Sequence, residues 1–371
     1  MDADIISHLQ TIESSLEGEG GEMLVKEDVI KAWICCHEER IRLICTRNIG
    51  MPLVLPSGLC RLDLSSCIIT DGALAVCLDG LTSLRHLSLK EIMTLTTLPS
   101  QDVLKQLTKL QYLCIDSCWC LRSLGGLRAA THLSEISLYS SPSLDLARGS
   151  DFMPLSLQTL DIRRCVVADD LFDGDLPHLK RLFLMWCRSS STSSIGHLTS
   201  LEELSLRNLQ DLNSLKGLSL LQLVSAHFTH VPNLDMKCIS QFRVQRSLSV
   251  SSLVMLNHML SAEAFTVPRN LVLEGCTEQS FPFEESADFS SANNLLFNCC
   301  EISSLPGNLK CFSCLTTLQI VGCPNISSLP DLPSSLQHIV VEDSELLKES
   351  CRSPDGQSWP KIEHIRSQLF S

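Results

Sequence analysis

The chain has 371 residues, 44% of them hydrophobic and only 5% aromatic, with 29 basic against 42 acidic side chains and a net charge of −13. So acidic a balance argues against nonspecific nucleic-acid binding, which needs basic patches to displace counterions. Leu and Ile must build the core, because large rings are too few.

Residues 1–57 read as a helical capping segment. Ile5, Leu9, Ile12 and Leu16 recur at the spacing of one helix face, and the glycines at 18–21 end it. A second, mixed helix is expected over 27–45. A stack of repeats needs its first layer covered, which gives this segment its capping role. The acidic start, Met1-Asp2-Ala3-Asp4, has neither the positive region nor the apolar core of a signal peptide. No apolar run approaches the ~20 residues of a membrane span. The expected location is cytoplasmic, with the nucleus also open.

From 58 to 345 one frame recurs. Leu59, Leu62, Leu64 and Cys67 are spaced L-x-x-L-x-L-x-x-C, and the frame returns at Leu110/Leu113/Ile115/Cys118, Leu157/Leu160/Ile162/Cys165 and Leu179/Leu182/Leu184/Cys187. It returns without the cysteine at Leu84/Leu87/Leu89, Leu133/Ile136/Leu138 and Leu201/Leu204/Leu206. The middle is blurred: Leu220/Leu223 and Ile239/Phe242/Val244 fit loosely, and the apolar residues of 253–260 have helical spacing. Leu271/Leu273/Cys276, Leu295/Phe297/Cys300, Leu315/Leu318/Ile320/Cys323 and Leu336/Ile339/Val341 then restore the frame. Starts lie roughly 22–26 residues apart, which is the period of a leucine-rich repeat. In a strand, alternate side chains share a face, so the paired aliphatics of each unit can bury themselves only against those of its neighbours. The expected fold is α/β: a leucine-rich-repeat solenoid, with a curved parallel sheet on the concave side and short helices or irregular chain on the convex side. Residues 346–371 leave the frame, carry Ser353-Pro354-Asp355-Gly356 turn chemistry, and read as the closing cap.

Nineteen cysteines would mean disulfides in a small secreted protein. Seven of them (67, 118, 165, 187, 276, 300, 323) share one repeat position, where a small thiol can pack and reach a carbonyl with its S–H, so reduced thiols are expected. Cys311 and Cys314 form a lone C-x-x-C, read as two packed thiols on a return segment. There is no phosphate loop, no second histidine four residues beyond His37, and no nucleophile elbow. No enzyme activity, metal or cofactor is expected.

What remains is surface. The residues between the ladder positions face outward, and among them Tyr139, Arg163, Arg181, Phe183, Met185 and Arg207 are of the types that carry binding energy at protein interfaces. They are the candidate concave protein-binding residues. The plainer alternative is that scattered apolar residues are ordinary on any surface.

The unit from Leu315 to Ile339, with Cys323-Pro324-Asn325-Ile326 and Leu329-Pro330-Asp331-Leu332-Pro333, resembles the C-terminal repeats of plant nucleotide-binding leucine-rich-repeat disease-resistance receptors. So does the ending, Leu347-Lys348-Glu349-Ser350-Cys351 followed by Pro354-Asp355-Gly356-Gln357-Ser358-Trp359-Pro360-Lys361-Ile362. The likeness is strongest to those of cereal grasses. It implies a protein partner, either a pathogen effector or a guarded host protein. It also implies an autoinhibitory contact with a receptor's nucleotide-binding domain if the chain is part of a longer one. These residues contain no phosphate loop, so nucleotide binding is not carried over. A second resemblance, at Leu62-x-Leu64-x-x-Cys67-x-Ile69-Thr70-Asp71-Gly72, is to the cysteine-type repeats of F-box substrate receptors for ubiquitin ligation.

Overall fold

The computed structural model describes residues 23–24, 30–35, 40–45, 55, 57–189, 192–262, 265–281 and 291–371. They belong to two compact units, Met1–Leu179 and Lys180–Ser371.

The first unit opens with strands β1 (Ile30–Cys35) and β2 (Arg40–Cys45), an antiparallel pair with Ile34 opposite Ile41. Strand β2 then pairs in parallel with β3 (Arg61–Ser65). The helix expected over 27–45 is therefore replaced by two strands. Their sequence carries a period-two alternation, Ile30-x-Ala32-x-Ile34 and Ile41-x-Leu43-x-Cys45, which outweighs the imperfect helical spacing. The helix expected over 5–16 lies outside the described residues.

Strands β4 (His86–Lys90), β5 (Tyr112–Asp116), β6 (Glu135–Tyr139) and β7 (Thr159–Arg163) continue the parallel ladder in strict register. That register stacks Leu62, Leu87, Leu113, Ile136 and Leu160 in one row and Leu64, Leu89, Ile115, Leu138 and Ile162 in a second. All are 2% exposed or less. Each such side chain contributes on the order of 1.5–3 kcal/mol by leaving water. The return paths carry helices α1 (Asp71–Leu78) and α2 (Gln101–Gln106). Thr70 caps α1, its Oγ1 accepting from the Ala73 N–H.

In the second unit, strands β8 (Arg181–Met185), β9 (Glu203–Arg207), β10 (Leu223–Thr229) and β11 (Val244–Val250) pair in parallel in that order. Helix α3 (Leu253–Leu260) follows, as its spacing predicts, with Ser252 as cap. Strands β12 (Asn270–Glu274), β13 (Asn294–Asn298), β14 (Thr317–Val321) and β15 (His338–Glu342) extend the ladder. After two short helices, α4 (Glu345–Ser350) and α5 (Trp359–Ile362), β16 (Ser367–Phe370) adds one more parallel strand beside β15. The ladder thus runs on through the segment read as a cap.

The blurred middle resolves differently from its expected frame. The ladder residues are Ala226 and Phe228 in β10 and Leu248 and Val250 in β11, while Leu220 is 71% exposed. An alanine in the ladder row and a register irregularity between Leu223 and Ser225 hide the frame.

One corner repeats after nearly every strand. The residue following it has a left-handed backbone, as at Ser66, Glu91, Ser117, Ser140, Arg164, Trp186 and Asn208, and at Gly275 and Gly322. Its N–H bonds to the last strand carbonyl of the next rung, as from Ser117 to Tyr139 at 2.9 Å and from Gly322 to Glu342 at 2.9 Å. The next residue turns under the sheet. There Cys118 Sγ donates to the carbonyls of Asp116 at 3.7 Å and Leu89 at 3.6 Å, and Cys300 Sγ to those of Asn298 at 3.5 Å and Leu273 at 3.3 Å. Ser141 and Ser344 take the same place. Each donates to the carbonyl two residues back and accepts the N–H of a cysteine in the preceding rung, Cys118 and Cys323 respectively. All seven repeat-position cysteines are buried and reduced. Burial pushes the Cys118 thiol up to about 11, keeping it protonated and inert.

Candidate protein-binding faces

The ladder rows point one way, so the residues between them form the open face of each sheet. The six candidate residues all take such places. Tyr139 ends β6 and Arg163 ends β7 in the first unit. Arg181, Phe183 and Met185 alternate along β8, and Arg207 ends β9, in the second unit.

In the first unit the pair is locked together by a residue left out of the six. Asp161, only 7% exposed, accepts from Arg163 Nε at 2.9 Å and Nη2 at 2.7 Å, and from the Tyr139 hydroxyl at 2.9 Å. The Arg163 guanidinium also stands 5.0 Å from the centre of the Tyr139 ring. A two-pronged ion pair with a cation–π contact holds both side chains in fixed poses. Burial, with Asp161 adding to it against a lowering hydrogen bond from Ser137, pushes the Tyr139 phenol up to about 12. Nearby, the His86 and Tyr112 rings lie 5.8 Å apart. Asp161 was findable from sequence, since it lies two residues before Arg163 on the same strand face.

In the second unit β8 and β9 set Arg181 beside Glu203, Phe183 beside Ser205 and Met185 beside Arg207. Arg181 is exposed, and Phe183 and Met185 are half-buried. Arg207 reaches Glu274, on β12, with Nη1 to Oε1 at 3.4 Å. Between them lies His227, whose Nε2 is 3.9 Å from Glu203 and whose buried Nδ1 has no partner. Burial, then the Arg207 charge, hold this imidazole below its ordinary range. No local sequence signal pairs Arg207 with Glu274, because 67 residues separate them.

Cys311 and Cys314 are both exposed, so they are not the packed pair expected. Their return segment faces them outward from 3-10 turn Leu309–Cys311 and the chain beyond it. No cluster of three or more His, Cys, Asp or Glu able to hold a metal occurs among the described residues, and none of their helices is long and apolar enough to cross a membrane.

No family model matches the chain, and no curated protein matches it. Among solved structures it is similar to a leucine-rich-repeat protein of Leptospira interrogans, with 18% identity and a TM-score of 0.47, over 84% of this chain and 83% of that one. It is also similar to an internalin of Listeria monocytogenes, with 17% identity and a TM-score of 0.43, over 90% and 87%. A third is the Toll–Spatzle complex of Drosophila, with 16% identity and a TM-score of 0.42, over 77% and 42%. Within each unit, the parallel strands in register, the paired buried rows and the recurring corner make this an α/β leucine-rich-repeat fold.

Proposed function

We propose that the chain is a protein-recognition module of the plant intracellular immune-receptor type, which binds a pathogen effector or a guarded host protein through the open faces of its sheets. In a longer receptor the same module would contact the nucleotide-binding domain and hold it inactive. The observation that carries the reading is the division of labour along each strand. Two places per rung are fixed as buried apolar side chains, while the places between them carry Tyr139, Arg163, Arg181, Phe183, Met185 and Arg207 on a rigid register. Large, pre-positioned aromatic and Arg side chains lose little freedom on binding. The closing Trp359-Pro360 motif and the Cys323-Pro324 repeat support the plant-receptor assignment by resemblance.

The test is affinity capture from plant extract with the wild-type chain and the Phe183→Ala and Arg207→Ala variants. The expected outcome is a specific partner whose affinity falls about tenfold or more in the variants, with thermal unfolding nearly unchanged. Unaltered capture removes the second unit's face from the reading. Enrichment of ubiquitin-ligase adaptor subunits would replace it with the F-box-type one.

A further inference from the structure

Three places beyond each ladder strand from β3 to β7, just past the buried corner residue, the first unit sets an exposed apolar side chain: Ile68, Met93, Trp119, Pro142 and Val166. Trp119 is 57% exposed and Met93 49%. Because the strands are stacked in parallel register, these residues line up as one stripe along the edge of the unit. At ~4.8 Å per strand the five rungs make it roughly 19 Å long. In the second unit five of the eight equivalent places are polar, Arg188, Gln210, Thr277, Glu301 and Glu345, and the other three hold Pro232, Leu253 and Pro324, so folding does not require an apolar side chain there. A position that tolerates charge in one unit and is apolar in all five of these rungs of the other is a contact surface.

The charges beside the stripe say what it contacts. In the β5 rung Asp116 stands on the sheet side and Arg122 on the far side; in the β7 rung Arg164 stands on the sheet side and Asp169 on the far side. In the β3 and β4 rungs the charges are shared between neighbours: Glu91, beside Lys90, accepts from Ser66 Oγ at 2.8 Å on the sheet side, and Asp71 accepts from the Thr96 N–H at 2.8 Å on the far side. In the β6 rung Ser140 stands across from Asp145. A twofold axis laid along the stripe sets every rung against its own copy with the flanks exchanged. Asp116 then meets Arg122 of the second copy, Arg164 meets its Asp169, and its Asp71 lies toward the mixed pair Lys90 and Glu91. An axis laid across the stripe would instead set Asp71 against Asp169, and Asp116 and Arg122 each against itself.

We propose that the stripe is a self-association surface, occupied by a second copy of this chain related by a twofold axis parallel to it. Trp119 packs on Trp119 of the copy at the middle rung, and the Asp116–Arg122 and Arg164–Asp169 pairs fix the orientation. The contact is isologous and so closes at two chains. A stripe one side chain wide falls below the ~800 Å² per partner of a stable complex, so the dimer is weak and forms with rising concentration.

Sedimentation velocity of the chain from about 1 to 200 μM tests this, a range that spans weak dimers. The weight-average mass should climb toward twice that of one chain. Trp119→Lys should weaken association about tenfold or more, as should Arg122→Asp alone, and adding Asp116→Arg to Arg122→Asp should restore it. Circular dichroism checks that each variant is folded. If Trp119→Lys unfolds, Met93→Lys and the charge exchange carry the test. A wild-type chain that stays monomeric throughout, or a dimer indifferent to both the apolar and the charge substitutions, overturns the proposal.

Discussion

In the first unit, outward side chains are tied to one another over short spans: Tyr139, Asp161 and Arg163 close a cluster within two neighbouring strands, and His86 leans on Tyr112 in two others. In the second unit the face grades from the ion pair of Arg207 with Glu274 to a lane of half-buried Val272, Leu296, Gln319 and Val340, with no Lys or Arg on β12 to β15. Both tyrosines of the chain lie on the first face. The buried rows beneath the two faces are chemically alike. Evolution of such a stack can therefore change what a face binds while leaving its frame intact, since face and core alternate residue by residue. The first face offers fixed polar groups already paid for in conformational entropy. The second offers apolar area, worth about 25 cal/mol per Å² when covered.

The largest effect should come from the shared frame. Leu318 is fully buried between Leu295 and Ile339 in the second unit, and Leu113 occupies the equivalent place in the first. Leu318→Ala should cost about 2–5 kcal/mol, and Leu113→Ala a similar amount. Urea unfolding of the two variants sharpens the comparison. A single transition shifted equally by both means the units share one cooperative melt, whereas a transition split by only one of them separates the units.

Next comes the first face itself. Asp161→Ala should remove about 1–3 kcal/mol, and the Tyr139 phenol should titrate below its value of about 12, because two influences that raise it are lost. Ultraviolet titration can resolve this, with only one other tyrosine present. An unmoved phenol would mean the cluster is not closed in solution.

The second face should respond to acid. His227 is held below its ordinary range, so the unfolded chain binds its proton at higher pH than the folded one does. Its contribution is complete above the unfolded value near 6.5 and is lost as pH falls through the folded value. Thermal unfolding from about pH 7.5 to about 5.5 should show a fall that His227→Gln reduces. Glu203, Arg207 and Glu274 are the charged groups around the ring. An identical fall in the variant would assign the acid response elsewhere.

The smallest effect is expected at the corners. Cys118→Ser should cost no more than about 1.5 kcal/mol in thermal unfolding, since Ser141 and Ser344 already fill that place with the same bonds. A larger loss would show that sulfur packing, not the hydrogen bond, selects cysteine there.

The frame was legible because its signal is a spacing. Leu62 with Leu64, or Leu318 with Ile320, declares a strand and its buried side without any partner in view. The signal fades where Ala226 takes a ladder place, and it misleads over 30–45, where alternating aliphatics in two short strands also fit a helix loosely. The face was legible in residue type and direction but not in pairing. Asp161 could be placed beside Arg163 by counting two, whereas Glu274 finds Arg207 only once three strand registers are known. The edge stripe of Ile68, Met93 and Trp119 was hidden because its period is that of the whole repeat, and exposure decides its meaning.

The left-handed corner after each strand carries a practical consequence. Glu91, Ser117 and Ser140 each hold a backbone shape that an L-residue disfavours by roughly 1–2 kcal/mol, and the hydrogen bond onward to the next rung keeps them there. These sites lie apart from the buried rows, so they are natural places to engineer a hardier version of the protein. Asparagine or glycine at such bends relieves the local torsion while the buried rows stay as they are.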